Sequence, residues 1–192
     1  MNIEKLKTFI TEKLKTELSD KLTYHGIHHT ESVLKICRFY VRELNISEDD
    51  AFLLYSATLM HDIGFTKVYD NHEDESISIA KKILPEWNYS ENDIDKIVGM
   101  IMATKIPQKP KTILEKIIGD ADLDYLGTDR YFSVSETLFN ELVAFNKISN
   151  RKQWDEIQIR FLQNHRYHTS YALKYREPVK QKYLKDLLEK QN

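Results

Sequence analysis

The sequence predicts an all-α fold, a single-domain helical bundle of roughly eight helices. Three observations predict it. Apolar residues recur at helical spacing along nearly the whole chain. Residues that cap helices stand before several of these stretches. The chain has only 5 Gly and 4 Pro, too few for a turn-rich β fold.

Taken in order, residues about 2 to 18 form a first helix with Ile3, Leu6, Ile10, Leu14 and Leu18 as its stripe. A polar connection leads to Tyr24-His25-Gly26. The next helix, His28 to Leu44, buries His29, Val33, Ile36, Cys37, Tyr40, Val41 and Leu44. Asn45-Ile46 is a turn. Ser47, with Asp50 three residues on, starts a helix expected to run to Ile63 and stop at Gly64. Leu54, Ala57, Thr58, His61 and Asp62 share one band of it. A loop follows, then a helix from His72 to Leu84 ended by Pro85. Ser90, with Asp93, caps a helix over about 91–104. The segment 106–111 breaks the pattern. Thr112 caps a helix carrying Leu114, Ile117, Ile118, Ala121, Asp122 and Tyr125, with Gly127 at its end. Helices are expected from Asp129 to about Asn146, after the cap Asn150, and from near Ser170 to about Glu189.

With 192 residues the chain suffices for one domain and falls short of two typical ones. It shows neither an internal repeat nor a linker. The whole of 1–192 is read as one domain, with a motif core at about 20–130 and the helices of 131–192 packed onto it. A net charge of -2 offers no global field for nucleic acid. The one cysteine, Cys37, lies on an apolar stripe and reads as core, and such cysteine usage fits a reducing, cytoplasmic compartment. The N-terminus is charged and has no signal-peptide core, and no stretch reaches membrane-spanning length.

The chemistry concentrates on inward positions. Of 7 histidines, 5 fall between positions 25 and 72. His29 and His61 sit on the buried stripes of two helices, Asp62 follows His61 inside an apolar stretch, and Asp122 lies one turn after Ile118 on a third helix. Buried imidazoles and carboxylates are costly unless something pairs them. Converging, they make a mixed N/O site for a divalent transition metal: Mn, Fe, Ni, Co or Zn.

The ordered pattern resembles the HD-domain superfamily of metal-dependent phosphohydrolases. The residues that carry the resemblance are Tyr24-His25 with His29 and Val33, then Leu59-Met60-His61-Asp62-Ile63-Gly64, then Asp120-Ala121-Asp122-Leu123-Asp124-Tyr125-Leu126-Gly127. The resemblance implies His29, His61, Asp62 and Asp122 as metal ligands, with Asp120 and Asp124 flanking them. It places His25 where the cyclic-nucleotide phosphodiesterases of the superfamily have a histidine that protonates the leaving oxygen. His72 falls where some members use a histidine for a second metal or for the substrate phosphate, and His28 is expected to point away from its neighbour His29.

The implied activity is hydrolysis of a phosphomonoester, phosphodiester or phosphoanhydride, with a nucleotide as the expected small-molecule partner. A bound metal in such a site lowers the pKa of water and polarises a phosphoryl oxygen. His25, Asp62 and His72 are the expected catalytic residues. Lys67, Lys105 and Arg130, with Lys109 and Lys111 beside them, are candidates for the phosphate. His165-Arg166-Tyr167-His168 reads as a helix boundary.

The chain departs from the cyclic-di-nucleotide hydrolases of the superfamily. It has Phe65 where they place lysine, no Gly-Tyr-Pro motif, and no His-His pair at Met102-Ala103-Thr104-Lys105. That leaves room for a second ion, Mg or Mn, held mostly by water and Asp62. Two alternatives stand beside the enzyme: a degenerate HD module that binds a nucleotide or protein partner without turnover, and an HD-type di-iron oxygenase.

Overall fold

The computed structural model describes residues 3–191, and among them there are ten α-helices and no strand. The chain divides into two compact units. The first holds the residues through Ser19 together with His25–Asp122; the second holds Asp20–Tyr24 and the residues from Leu123 onward.

In the first unit the helices are α1 (Ile3–Glu17), α2 (Ile27–Glu43), α3 (Glu48–Met60), α4 (His72–Ile83), α5 (Glu91–Thr104) and α6 (Ile113–Asp122). Helix α3 packs against α1, α2, α5 and α6. It is apolar nearly all round, as a helix enclosed by others must be. Ser47 accepts a hydrogen bond from the Asp50 amide at 3.2 Å, and Glu48, Asp49 and Asp50 complement the positive end of the helix. Ser90 and Asp93 form a reciprocal capping box on α5. The Thr112 hydroxyl accepts the Glu115 amide at the start of α6. Cys37 is buried against Thr58, and burial pushes its thiol up to about 12, so it is an inert core residue as expected.

The helix bearing His61 ends earlier than its apolar run. α3 stops at Met60, and a tight 3-10 turn over Ile63–Thr66 follows. Gly64 is therefore no helix stop, and no described glycine has a positive φ. It is small because α4 passes against it: a Cβ there would lie 2.0 Å from the His72 carbonyl oxygen. The Gly64 amide donates to Ser76 Oγ at 2.8 Å, which fastens the turn to α4.

In the second unit the helices are α7 (Tyr131–Ala144), α8 (Arg151–Asn164), α9 (Ser170–Tyr175) and α10 (Glu177–Gln191). The segment Asp20–Tyr24 is bonded to α7. The Tyr24 amide donates to the buried Glu141 carboxylate at 2.8 Å, and Thr23 Oγ1 donates to the Thr137 carbonyl at 2.7 Å. Helix α10 packs on α8, on α9 and on the 3-10 turn Asp124–Gly127. The expected final helix is thus two helices, and the expected helix through Tyr125 ends at Asp122. Pro178 explains the first break, since it has no amide to continue the ladder of α9 but is tolerated in the first turn of α10.

Asp124 belongs to the second unit and is buried. Its Oδ1 accepts from Arg176 Nε at 2.7 Å, and only 3% of its side chain is exposed. Burial pushes the Asp124 carboxyl upward even with the guanidinium against it. Arg176→Leu is expected to cost about 3 kcal/mol, near the low end for stranding one member of a buried ion pair, because Arg176 itself reaches solvent. Urea unfolding followed by circular dichroism measures it. Lys180 is buried too, with its ammonium donating to the His165 carbonyl at 2.7 Å and paired with Glu177 at 3.0 Å.

Candidate metal centre

Four side chains of the first unit bring their polar atoms together. Each arrives for a local reason. His29 is on the buried face of α2, one turn before Val33, and is presented by a helix that starts at Gly26. His61 caps the C-terminus of α3, where the last carbonyls lack intrahelical partners. One of these, the Thr58 carbonyl, accepts from His61 Nδ1 at 2.7 Å. A carbonyl can only accept, so Nδ1 carries a proton and Nε2 is the nitrogen left to meet a cation. Asp62 follows in the non-helical step before the 3-10 turn. Asp122 is the last residue of α6, which packs against α2.

The distances define a small polyhedron. His29 Nε2 lies 2.9 Å from Asp122 Oδ1, 3.4 Å from His61 Nε2 and 3.4 Å from Asp62 Oδ2. His61 Nε2 lies 3.2 Å from Asp62 Oδ2 and 3.6 Å from Asp122 Oδ1. Ligand atoms about 2.1 Å from a cation sit about 3.0 Å apart at octahedral angles and about 3.4 Å apart at tetrahedral ones. The five separations match such edges. His29, His61 and Asp122 each offer a ligand atom within 4.8 Å of one another. Asp62 Oδ2 is buried and has no hydrogen-bond partner among the described residues. A buried, unsatisfied carboxylate oxygen facing two imidazole nitrogens fits a site for a cation.

The electrostatics agree. Burial works to raise the Asp122 carboxyl, but hydrogen bonds to His29 and His61 bring it down to about 2. Asp62 is likewise held well below the ordinary carboxylate range, against its burial, chiefly by the charge of His61. His61 moves the other way: burial lowers it, and Asp62 and Asp122 together carry it well above its ordinary value. The pocket draws positive charge toward its centre, and a divalent cation uses the same lone pairs that protons would occupy.

The second oxygen of Asp62 faces elsewhere. Oδ1 lies 3.4 Å from Nε2 of His72, the first residue of α4. His72 is raised as well, because the Asp62 hydrogen bond and charge outweigh burial. His25 stands beside both, its ring centroid 5.8 Å from that of His29 and 5.7 Å from that of His72. His28 is exposed, as its position next to His29 requires.

Thus His25, His29, His61, Asp62, His72 and Asp122 form one cluster. Two of the phosphate candidates, Lys67 and Lys105, are paired with carboxylates. Lys67 pairs with Glu17 at 3.2 Å, Lys105 pairs with Asp74 on α4, and Arg130 is the exposed residue that precedes α7 in the second unit. Sequence reasoning missed two contributors. The Thr58 carbonyl fixes the tautomer of His61, but a backbone atom has no signature in residue type. Phe65 stands out in the sequence only as a departure from lysine, yet its ring stacks against His72 and His25.

Comparison with known proteins adds three findings. The family model for the HD domain matches residues 26–124. An uncharacterised protein of Clostridium beijerinckii is 30% identical over 95 residues, 46% of this chain; the match spans 58% of the length of that relative. The crystal structure of Bacillus subtilis YpgQ in complex with ADP is similar in fold, with a TM-score of 0.65, 16% identity, and coverage of 98% of this chain and 97% of that one.

Proposed function

Because the chain belongs to the HD-domain family, we propose that it is a metal-dependent phosphohydrolase acting on a phosphomonoester, phosphodiester or phosphoanhydride of a nucleotide. One observation carries this reading: the His29, His61, Asp62 and Asp122 ligand atoms lie at coordination-edge distances around a buried carboxylate oxygen that lacks a donor. The ADP bound to the Bacillus subtilis protein of like fold supports a nucleotide as the ligand class.

A divalent Mn, Fe, Ni, Co or Zn ion held by these four residues supplies, when bound, a Lewis acid that lowers the pKa of water and polarises a phosphoryl oxygen. The protein's own groups do the rest. The Thr58 carbonyl keeps the His61 lone pair aimed inward. Asp62 turns one oxygen toward the two imidazoles and the other toward His72, so it ties the ligand set to the proton-carrying side of the site. In this reading His25 and His72 donate hydrogen bonds to the phosphate, and His25 protonates the leaving oxygen. Lys67 and Lys105 would each exchange a carboxylate for the phosphate.

The test is a panel of nucleotide mono-, di- and triphosphates and phosphodiesters, assayed with each metal in turn and with Mg. Release of phosphate, pyrophosphate or nucleoside is expected with at least one metal, stopped by a chelator and restored by that metal. Tight ADP binding without turnover in any metal would instead make the chain a binding module. Two firmly bound irons with oxygen uptake would make it an oxygenase.

A further inference from the structure

We propose that a groove between the C-terminal half of α5, the loop 106–111 and the start of α6 seats the body of the substrate, a nucleotide with negative charge beyond the phosphate that reacts. The inference rests on the phosphohydrolase reading. The groove lies in the first unit and has a volume of about 420 Å³, within the range of small-molecule sites. Met102, Ile106 and Pro107 give it an apolar wall, and Lys105, Lys109 and Lys111 line it as well. Met102 and Ile106 keep 41% and 50% of their surface exposed. An uncovered apolar wall set among cations fits a ligand that is part flat ring and part anion.

Two hydrogen bonds tie the groove to the helices of the metal centre. The Lys105 ammonium donates to Asp74, which follows His72 and Glu73 in the first turn of α4. The Gln108 amide donates to the Gly119 carbonyl at 3.0 Å, one turn before the ligand Asp122 on α6. The loop that walls the groove is thus fastened to both helices that bring site residues from this side. A nucleotide with its reacting phosphate at the ligand set lays its remaining length along that loop.

Charge selects the ligand. Glu115 also lines the groove, but its carboxylate is turned to backbone. Its Oε2 accepts the Lys111 amide at 2.6 Å and the Thr112 amide at 3.4 Å, at the start of α6. Lys105 is offset by Asp74. Among the described residues neither the Lys109 nor the Lys111 ammonium is paired with a carboxylate. Lone surface lysines are common; these two share a groove with uncovered apolar side chains. Two like charges on one short loop repel each other and attract an anion. Phosphates beyond the reacting one supply that charge, while base and sugar cover Met102 and Ile106.

The test uses the double variant Lys109→Gln/Lys111→Gln and, separately, Ile106→Asp. All three side chains are exposed, so both variants should unfold at the wild-type Tm. For each variant, kcat/KM on the nucleotide turned over is compared with kcat/KM on p-nitrophenyl phosphate, which is too short to fill the groove. The ratio should fall about tenfold, because contacts to the non-reacting part of the nucleotide are lost. Titration calorimetry of ADP into the zinc-loaded protein reads the groove without turnover. The Kd should rise about tenfold in each variant, and the wild-type Kd should rise with salt. Three results overturn the proposal: a wild type that does not bind ADP, an unchanged Kd in either variant, or an equal loss on p-nitrophenyl phosphate. Failure of the phosphohydrolase reading looks different. No ester is then hydrolysed with any metal, and the ADP titration alone decides whether the groove is a nucleotide seat.

Discussion

His61→Ala is expected to abolish metal-dependent turnover, with a loss in kcat/KM of about a thousandfold or more. The imidazole is fully buried, with Nε2 within 3.6 Å of polar atoms of His29, Asp62 and Asp122. Its removal deletes a ligand, strands the Thr58 carbonyl, and leaves two carboxylates close together with one imidazole fewer to offset them. Bound metal measured by elemental analysis should fall with activity. Asp62→Asn separates the contributions, since it preserves shape while removing the charge that both His61 and His72 face. It should keep a wild-type circular dichroism spectrum and lose most of the metal. Wild-type metal content in both variants would contradict the assignment.

The same arrangement gives metal binding a pH dependence with a definite sign. His61 is raised in the metal-free protein, so lowering the pH fills its Nε2 with a proton that the metal must displace. Apparent metal affinity should therefore fall as pH falls, and calorimetry in buffers of different ionisation enthalpy should register proton release on binding.

The second large effect is structural. Gly64→Ala would put a methyl group 2.0 Å from the His72 carbonyl oxygen and 2.9 Å from both the His72 carbonyl carbon and the Ser76 nitrogen. All three are backbone atoms, so relief requires α4 and the 3-10 turn to part. The expected cost is about 3 kcal/mol or more. For a chain of this size that corresponds to a fall in Tm of roughly 6–12 °C. Activity should fall with it, because the same displacement moves His72 away from Asp62. Gly99→Ala is the control. Its added Cβ meets only the Glu115 side chain, at 3.1 Å, in the interior of α5. There the gain in helix propensity, about 1 kcal/mol, offsets a small adjustment of a flexible carboxylate. Thermal unfolding of the two variants side by side measures the difference.

These effects divide between what the chain writes locally and what it assembles. The helical class, most helix starts and the inward positions of His29 and His61 are legible in the order of residues alone. Each of these is a matter of 3.6-residue periodicity or a capping side chain, which neighbours along the chain dictate. The adjacency of His61 and Asp62 was equally legible, since an apolar helix does not end in two polar groups without a partner for them.

Other features arise between segments far apart in sequence and take shape only when the helices pack. Gly64 reads as a helix stop until α4 is seen against it. Phe65 reads as a missing lysine until His25 and His72 are placed on its ring. Asp124 reads only as a carboxylate beside the ligand motif until Arg176 closes on it from 52 residues away. In each case residue type was known and the deciding partner was not, because packing contacts between distant segments leave no periodic trace in the chain that forms them.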